Sequence, residues 1–375
     1  MKAYLTRLLF IALFITIGLP VYAHNIGFYQ QEIAQQSKRP LNITLWYTAN
    51  NNVADNNGGD GKSNQPITIE KVGDNVAFIG VEVIKKAEPK KGLYPLVVLS
   101  HGYRGSWRNL NWLAARLVQA GYLVAAVDHP GTTIFNQSPK AAAQWWQRPR
   151  DISRLLDWLT AQSRWNPLID LNRVIGVGHS LGGWTVINLA GAKFDRKHFK
   201  QECVLLPNPR TCGLAVELGL AQEQSGESDP NGQSESSQAS TSTSLKDPRI
   251  KAVISLDLGL ARSFSPASLS QVDIPSLILA AGVDIGDLPQ QFESGYLAEH
   301  MPLKKQSYRV YQGATHFSFM QPCKLGAVEI LEQEFPGDGV ICLDGKGQDR
   351  IKLHQKIFTD IQSFLKQHGF EPSNH

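Results

Sequence analysis

A serine stands between two glycines in Gly178-His179-Ser180-Leu181-Gly182, with Gly183 directly after. Such a serine could attack a carbonyl carbon. A serine hydroxyl is a weak nucleophile until a neighbouring base takes its proton, and it must be lifted clear of the backbone to reach a substrate. Glycines two residues before and two after the serine suit a tight strand-to-helix turn, where side chains would strike neighbouring backbone. The turn would also seat the hydroxyl at a helix N-terminus, where developing negative charge is favoured. The context agrees: the β-branched run 174–177 precedes the serine, and a helical segment begins at Leu181.

A nucleophilic serine of this kind needs a base, and the base an acid. Of ten histidines, His316 in Gly313-Ala314-Thr315-His316-Phe317 lies on the loop after the last expected strand, where that base is required. His101 and His179 belong to turns flanking the site, and His354 to a late helix. Two aspartates compete for the acid: Asp284, after the strand near 276–281, and Asp257, at the end of the strand before it. The loop after the penultimate strand is the commoner position, so Asp284 is favoured and Asp257 is the alternative. The other carboxylate is then structural, and Asp287 reads as a helix N-cap.

Acyl transfer also needs donors for the oxyanion. The backbone N–H of Leu181 is one candidate. The other is Tyr103, in Ser100-His101-Gly102-Tyr103-Arg104-Gly105, whose ring would also wall an acyl pocket. The competing reading makes His101-Gly102 a plain tight turn.

These residues need a scaffold that alternates strand and helix. Strands are expected over 43–47, 76–83, 96–99, 122–127, 174–177, 252–256, 276–280 and 308–311. Leu110, Leu113, Ala114, Leu117 and Val118 keep helical spacing up to Gly121. Ile152, Leu155, Leu156 and Leu159 do so after Pro149, and a helix is expected over 181–192. Ile357, Phe358, Ile361, Phe364 and Leu365 mark a closing helix. Such alternation predicts a mostly parallel, doubly wound sheet with helices on both faces: an α/β-hydrolase fold over 24–375 as one domain.

Two polar stretches fall outside that rhythm. Residues 49–64 carry Asp55 and Asp60 but fail the spacing of a calcium loop, and read as a hairpin loop between the first two expected strands. Residues 222–246 have almost no apolar side chain and are expected to be a disordered Ser/Gln-rich insertion.

Lys2 and Arg7 flank the start of an apolar run over 8–19, and Val21-Tyr22-Ala23 has the form of a cleavage site. Residues 1–23 are therefore expected to be a secretory signal peptide cleaved near Ala23, with an uncleaved anchor as the alternative. No later segment is long enough to cross a bilayer, so a soluble periplasmic or secreted protein is expected, with no stable membrane insertion. An oxidising compartment suits the four cysteines, which fall into local pairs, Cys203 with Cys212 and Cys323 with Cys342. Metal ligation is the weaker reading, since no C-x-x-C spacing is present. A net charge of +4, two of whose cations sit in the leader, and the lack of any Lys/Arg block exclude an electrostatic nucleic-acid binder.

Pro95 to Gly102, the stretch Val124-Ala125-Ala126-Val127-Asp128-His129-Pro130-Gly131, Gly178 to Gly183, and His316-Phe317-Ser318-Phe319 resemble the bacterial predicted dienelactone hydrolases. These are similar in turn to platelet-activating-factor acetylhydrolases and polyester hydrolases. The resemblance covers about 41–364 apart from the insertion. It implies a metal-free carboxylic ester hydrolase using Ser180, His316 and an aspartate. A small-molecule or lipid ester substrate, no cofactor and a monomer are expected. Dienelactone hydrolases proper use cysteine where this chain has Ser180. In the acetylhydrolase branch the acid follows the earlier strand, which keeps Asp257 open.

Three rivals stand beside this reading. A lipase or phospholipase A2-like enzyme would need a large apolar cleft, to which Trp107, Trp145, Trp146 and Trp184 could contribute unless they are core. A peptidase could use the same triad. A catalytically silent binding protein could keep the fold alone.

Overall fold

A computed structural model describes residues 26–50, 68–218, 244–285 and 289–373. The leader, most of the 49–64 stretch, most of the 222–246 insertion and Asp287 lie outside the described residues.

The strands are β1 (Ile26–Ile33), β2 (Leu41–Thr48), β3 (Ile69–Val72), β4 (Val81–Lys85), β5 (Tyr94–Ser100), β6 (Leu123–Asp128), β7 (Ile169–His179), β8 (Ile250–Leu256), β9 (Ser276–Ala281) and β10 (Gln306–Tyr311). Among the described residues they form one sheet in the order β10-β9-β8-β7-β5-β6-β2-β1-β4-β3. β6, β5, β7, β8, β9 and β10 run parallel. β2 joins β6 antiparallel, and β1 pairs antiparallel with β2.

Alternation along a strand sends its side chains to two cores. Leu96 and Val98 of β5 enter one apolar cluster, and Val97 and Leu99 enter the other. The first cluster is closed by the helices Arg148–Ala161 and Leu181–Leu189, the second by Asn111–Gln119 and Arg350–Gln367. Both faces are covered, as a strand rich in Val and Leu requires. This is the expected α/β-hydrolase architecture. The helices after β5 and after β6 lie on opposite faces, so the connectivity reverses at β5. The crevice outside the carboxyl ends of β5 and β7 is where such a sheet holds its ligands.

The N-terminal third departs from expectation. The predicted strand 76–83 is extended only at its end, in β4. Asn75 turns the chain before it: its Oδ1 accepts the N–H groups of Ala77 and Phe78, and Asp74 Oδ1 accepts that of Gly80. Nor do the first two expected strands form a hairpin. β2 lies between β1 and β6, while β4 pairs in parallel with β1 and antiparallel with β3. β1 was not foreseen, because its Gln30, Gln31 and Glu32 break the apolar pattern.

Both cysteine pairs are joined. Cys203–Cys212 ties the helix Arg196–Leu205 to Pro209–Glu217, and Cys323–Cys342 closes a loop beyond β10. Among the described residues, no helix is long and apolar enough to cross a membrane.

Candidate active site

Ser180 follows β7 directly and has φ 56° and ψ −122°. This conformation costs a non-glycine residue on the order of 1–3 kcal/mol, and the surroundings must enforce it. They do so by close contact. A Cβ on Gly178 would lie 2.0 Å from the Gly182 carbonyl oxygen, and one on Gly182 would lie 1.9 Å from that of Ser100. The Ser180 N–H donates to the Leu256 carbonyl at 3.1 Å, and the Ser180 carbonyl accepts the Gly183 N–H at 2.9 Å. The side chain of Ser180 is only half-buried. Leu181 opens the helix, so its N–H is among those the helix itself leaves unpaired.

His316 begins the short turn His316–Phe319 after β10. Its Nδ1 lies 2.7 Å from Asp257 Oδ2. Asp257 Oδ1 accepts the N–H of Ala281 at 2.8 Å, and the Asp257 N–H donates to Leu279 at 2.7 Å. The carboxylate is thus pinned on both sides, on a residue with φ 43° that aspartate tolerates better than most. The contact pairs His316 with Asp257, the alternative acid, rather than with the favoured Asp284. Beyond β9 the chain stays paired to the loop from β10, through Gly282 N–H to Tyr311 and Val283 N–H to Ala314, both at 2.9 Å. Asp284 follows that pairing and is exposed.

The turn bearing His316 is fixed from three sides. Trp112 Nε1–H donates to Phe319 O, His354 Nε2 to Ser318 O, and His179 Nε2 to His316 O, each at 2.9 Å. Burial holds His179 and His354 down to about 3, so both imidazoles are neutral and each offers one N–H.

The loop after β5 passes over the serine. A Cβ on Gly102 would lie 3.1 Å from Ser180 Cβ, so the loop passes tightly over the serine there. The Gly102 carbonyl accepts His101 Nδ1–H at 2.7 Å and the Gly105 N–H at 3.1 Å. Tyr103 follows, half-buried. A groove of about 330 Å³ uses Trp107 and Arg108 further along this segment, with Asp128 and Phe135, and does not include Ser180.

The tryptophans are core. Trp145 and Trp184 are fully buried with ring centroids 4.4 Å apart, and Trp107 packs on Phe28 and Trp46. Trp146 is half-buried, with Arg150 over its ring. Several buried polar groups near the site were given no role from the sequence: Arg148, Asp151 and His129 under the loop, and Glu293 near Asp257.

Residues 93–209 match the family model described as serine aminopeptidase, S33. Similar curated proteins include cutinase est1 from Thermobifida alba, 30% identical over 106 residues, which is 28% of this chain and 33% of that protein. Bis(hydroxyethyl) terephthalate hydrolase from Streptomyces coelicolor is 28% identical over 116 residues, 31% of this chain and 34% of that protein. The chain spans about a third of the length of these curated relatives. The solved structure of a ferulic acid esterase from Streptomyces cinnamoneus aligns with TM-score 0.56 at 19% identity, covering 94% of this chain and 92% of that one. Sheet order, strained serine turn and these likenesses agree on an α/β-hydrolase fold.

Proposed function

We propose that the protein is an exported serine hydrolase that cleaves carboxylic esters through an acyl-enzyme on Ser180. The reading rests above all on the His316–Asp257 pair, formed beyond the ends of β8 and β10, with β8 directly beside the strand whose end holds a serine at positive φ. Ser180 Oγ attacks the ester carbonyl carbon while His316 Nε2 takes its proton. Asp257 keeps the other imidazole proton on Nδ1 and stabilises the imidazolium. The N–H groups of Leu181 and Tyr103 hold the oxyanion. His316 then protonates the leaving alcohol. Water, activated by the same histidine, releases the acid.

Relatives named as cutinases, a bis(hydroxyethyl) terephthalate hydrolase and a ferulic acid esterase support an ester over an amide. The serine aminopeptidase description favours a second reading, cleavage of an N-terminal amide bond. The buried tryptophans weigh against the large apolar cleft of a lipase. Two disulfides support an oxidising compartment and hence export.

Hydrolysis of p-nitrophenyl esters from acetyl to palmitoyl, beside aminoacyl p-nitroanilides, tests the reading. Ester turnover that drops on the order of 10⁶-fold in Ser180→Ala is expected, with short acyl chains preferred. Turnover of the anilides alone would move the function to peptidase, and an inert parent would leave a binding protein.

A further inference from the structure

Arg148 is fully buried under the proposed oxyanion site, and its guanidinium touches both chain segments that would supply the donors. Nη2 donates to the carbonyl oxygen of His101, two residues before Tyr103, and to Ser100 Oγ at 3.2 Å. Nε donates to Thr185 Oγ1 at 3.0 Å, and that hydroxyl in turn donates to the Leu181 carbonyl at 3.0 Å. Nη1 donates to Thr132 Oγ1 at 2.6 Å. One planar, rigid group therefore spans the loop of Tyr103 and the first turn of the nucleophile helix.

The groups around it are ordered in one direction. His129 N–H donates to His101 Nε2 at 3.0 Å, so His101 is neutral with its proton on Nδ1. That proton goes to the Gly102 carbonyl. In a trans peptide the C=O and the following N–H point oppositely. Anchoring the Gly102 oxygen inside the loop therefore turns the Tyr103 N–H outward. His129 Nε2 lies 3.0 Å from Ser100 Oγ, and its Nδ1 lies 3.0 Å from Asp151 Oδ2. Asp151 is held by Arg39 in a two-pronged pair, at 2.8 Å on each oxygen. This fixed scaffold leaves Arg148 one geometry.

We propose that Arg148 is a positioning residue for ester hydrolysis, setting the separation of the Tyr103 and Leu181 N–H groups through His101 and Thr185. Being buried away from the cleft, it touches no substrate. Its effect falls on the transition state, which the two donors bind, rather than on the ground-state ester. The inference rests on the serine-hydrolase reading above.

The test is steady-state hydrolysis of p-nitrophenyl acetate by the purified protein and by Thr185→Val, Thr185→Ser and Arg148→Lys, with thermal unfolding measured for each. Loss of one oxyanion donor costs about 10²–10³-fold in kcat, and a misplaced donor is expected to cost Thr185→Val about tenfold or more with KM unchanged. Thr185→Ser restores the hydroxyl despite its smaller volume and should return to parental kcat. Arg148→Lys should fall further than Thr185→Val, since an ammonium cannot span both segments. If Arg148→Lys fails to fold, the two threonine variants decide alone. Parental kcat in Thr185→Val, or a Thr185→Ser worse than Thr185→Val, would overturn the inference while leaving the esterase reading intact. A parent inert toward esters would overturn both.

Discussion

His316 and Asp257 share a 2.7 Å contact between Nδ1 and Oδ2, and the second carboxylate oxygen is taken by the backbone N–H of Ala281. The carboxylate cannot rotate without losing one of the two bonds, so the imidazole is held through its Nδ1 side. Asp257→Asn would present a donor to Nδ1 and favour the wrong tautomer. Its kcat on p-nitrophenyl butyrate is expected to fall about 10³–10⁴-fold. Asp284→Asn should leave turnover essentially unchanged. A larger loss at Asp284 than at Asp257 would return the acid role to the later loop.

Gly182 has no room for a methyl group, since its Cβ would fall 1.9 Å from the Ser100 carbonyl oxygen. Backbone on backbone cannot yield as a flexible side chain can. Gly182→Ala is expected to cost about 3 kcal/mol or more in urea unfolding, at the upper end for overpacking. Gly213 lies in the helix Pro209–Glu217 with no atom near its would-be Cβ. Gly213→Ala should instead stabilise by about 0.5–1 kcal/mol. Equal effects at the two sites would contradict the packing described.

Glu293 is buried, accepting Thr211 Oγ1–H at 2.5 Å and the Ala261 N–H at 2.7 Å. Burial is the main cause that pushes its carboxyl from 4.5 up to about 7, and nearby Asp257 adds to it. The folded state then keeps a proton that the unfolded chain releases at lower pH. The associated stability is full below about 4.5 and is lost as pH rises through about 7, on the order of 3 kcal/mol in all. Glu293→Gln has no proton to lose. The Tm of this variant minus that of the parent should therefore climb between pH 5 and pH 8. A difference that stays flat across that range would show that Glu293 is ionised throughout.

The strand-to-helix serine turn was legible because its glycines answer a local collision, and local collisions leave a local pattern. The loop of His316 was legible from its place after the last strand, and it meets His179, the neighbour of Ser180, with ring centroids 4.7 Å apart. The choice between Asp257 and Asp284 was not. Both follow buried strands, and the decision lies in how residues 282–283 pair with the loop after β10, a contact between distant segments. Arg148 and Asp151 were hidden for a different reason. They stand in the first turn of a helix, where charge is ordinary, and only the packed structure shows them buried. β1 and β4 were misread because exposed, polar side chains interrupt their apolar pattern.

The amide of Ser180 is engaged by the Leu256 carbonyl on the neighbouring strand. It is therefore withheld from the substrate, and the proposed mechanism draws its two oxyanion donors from separate segments, at Leu181 and at Tyr103. On that reading the nucleophile and one of its donors are encoded apart from the other donor. Small changes in the segment after β5 can silence the reaction while the nucleophile turn stays whole, so hydrolysis and recognition are free to diverge between descendants of one scaffold.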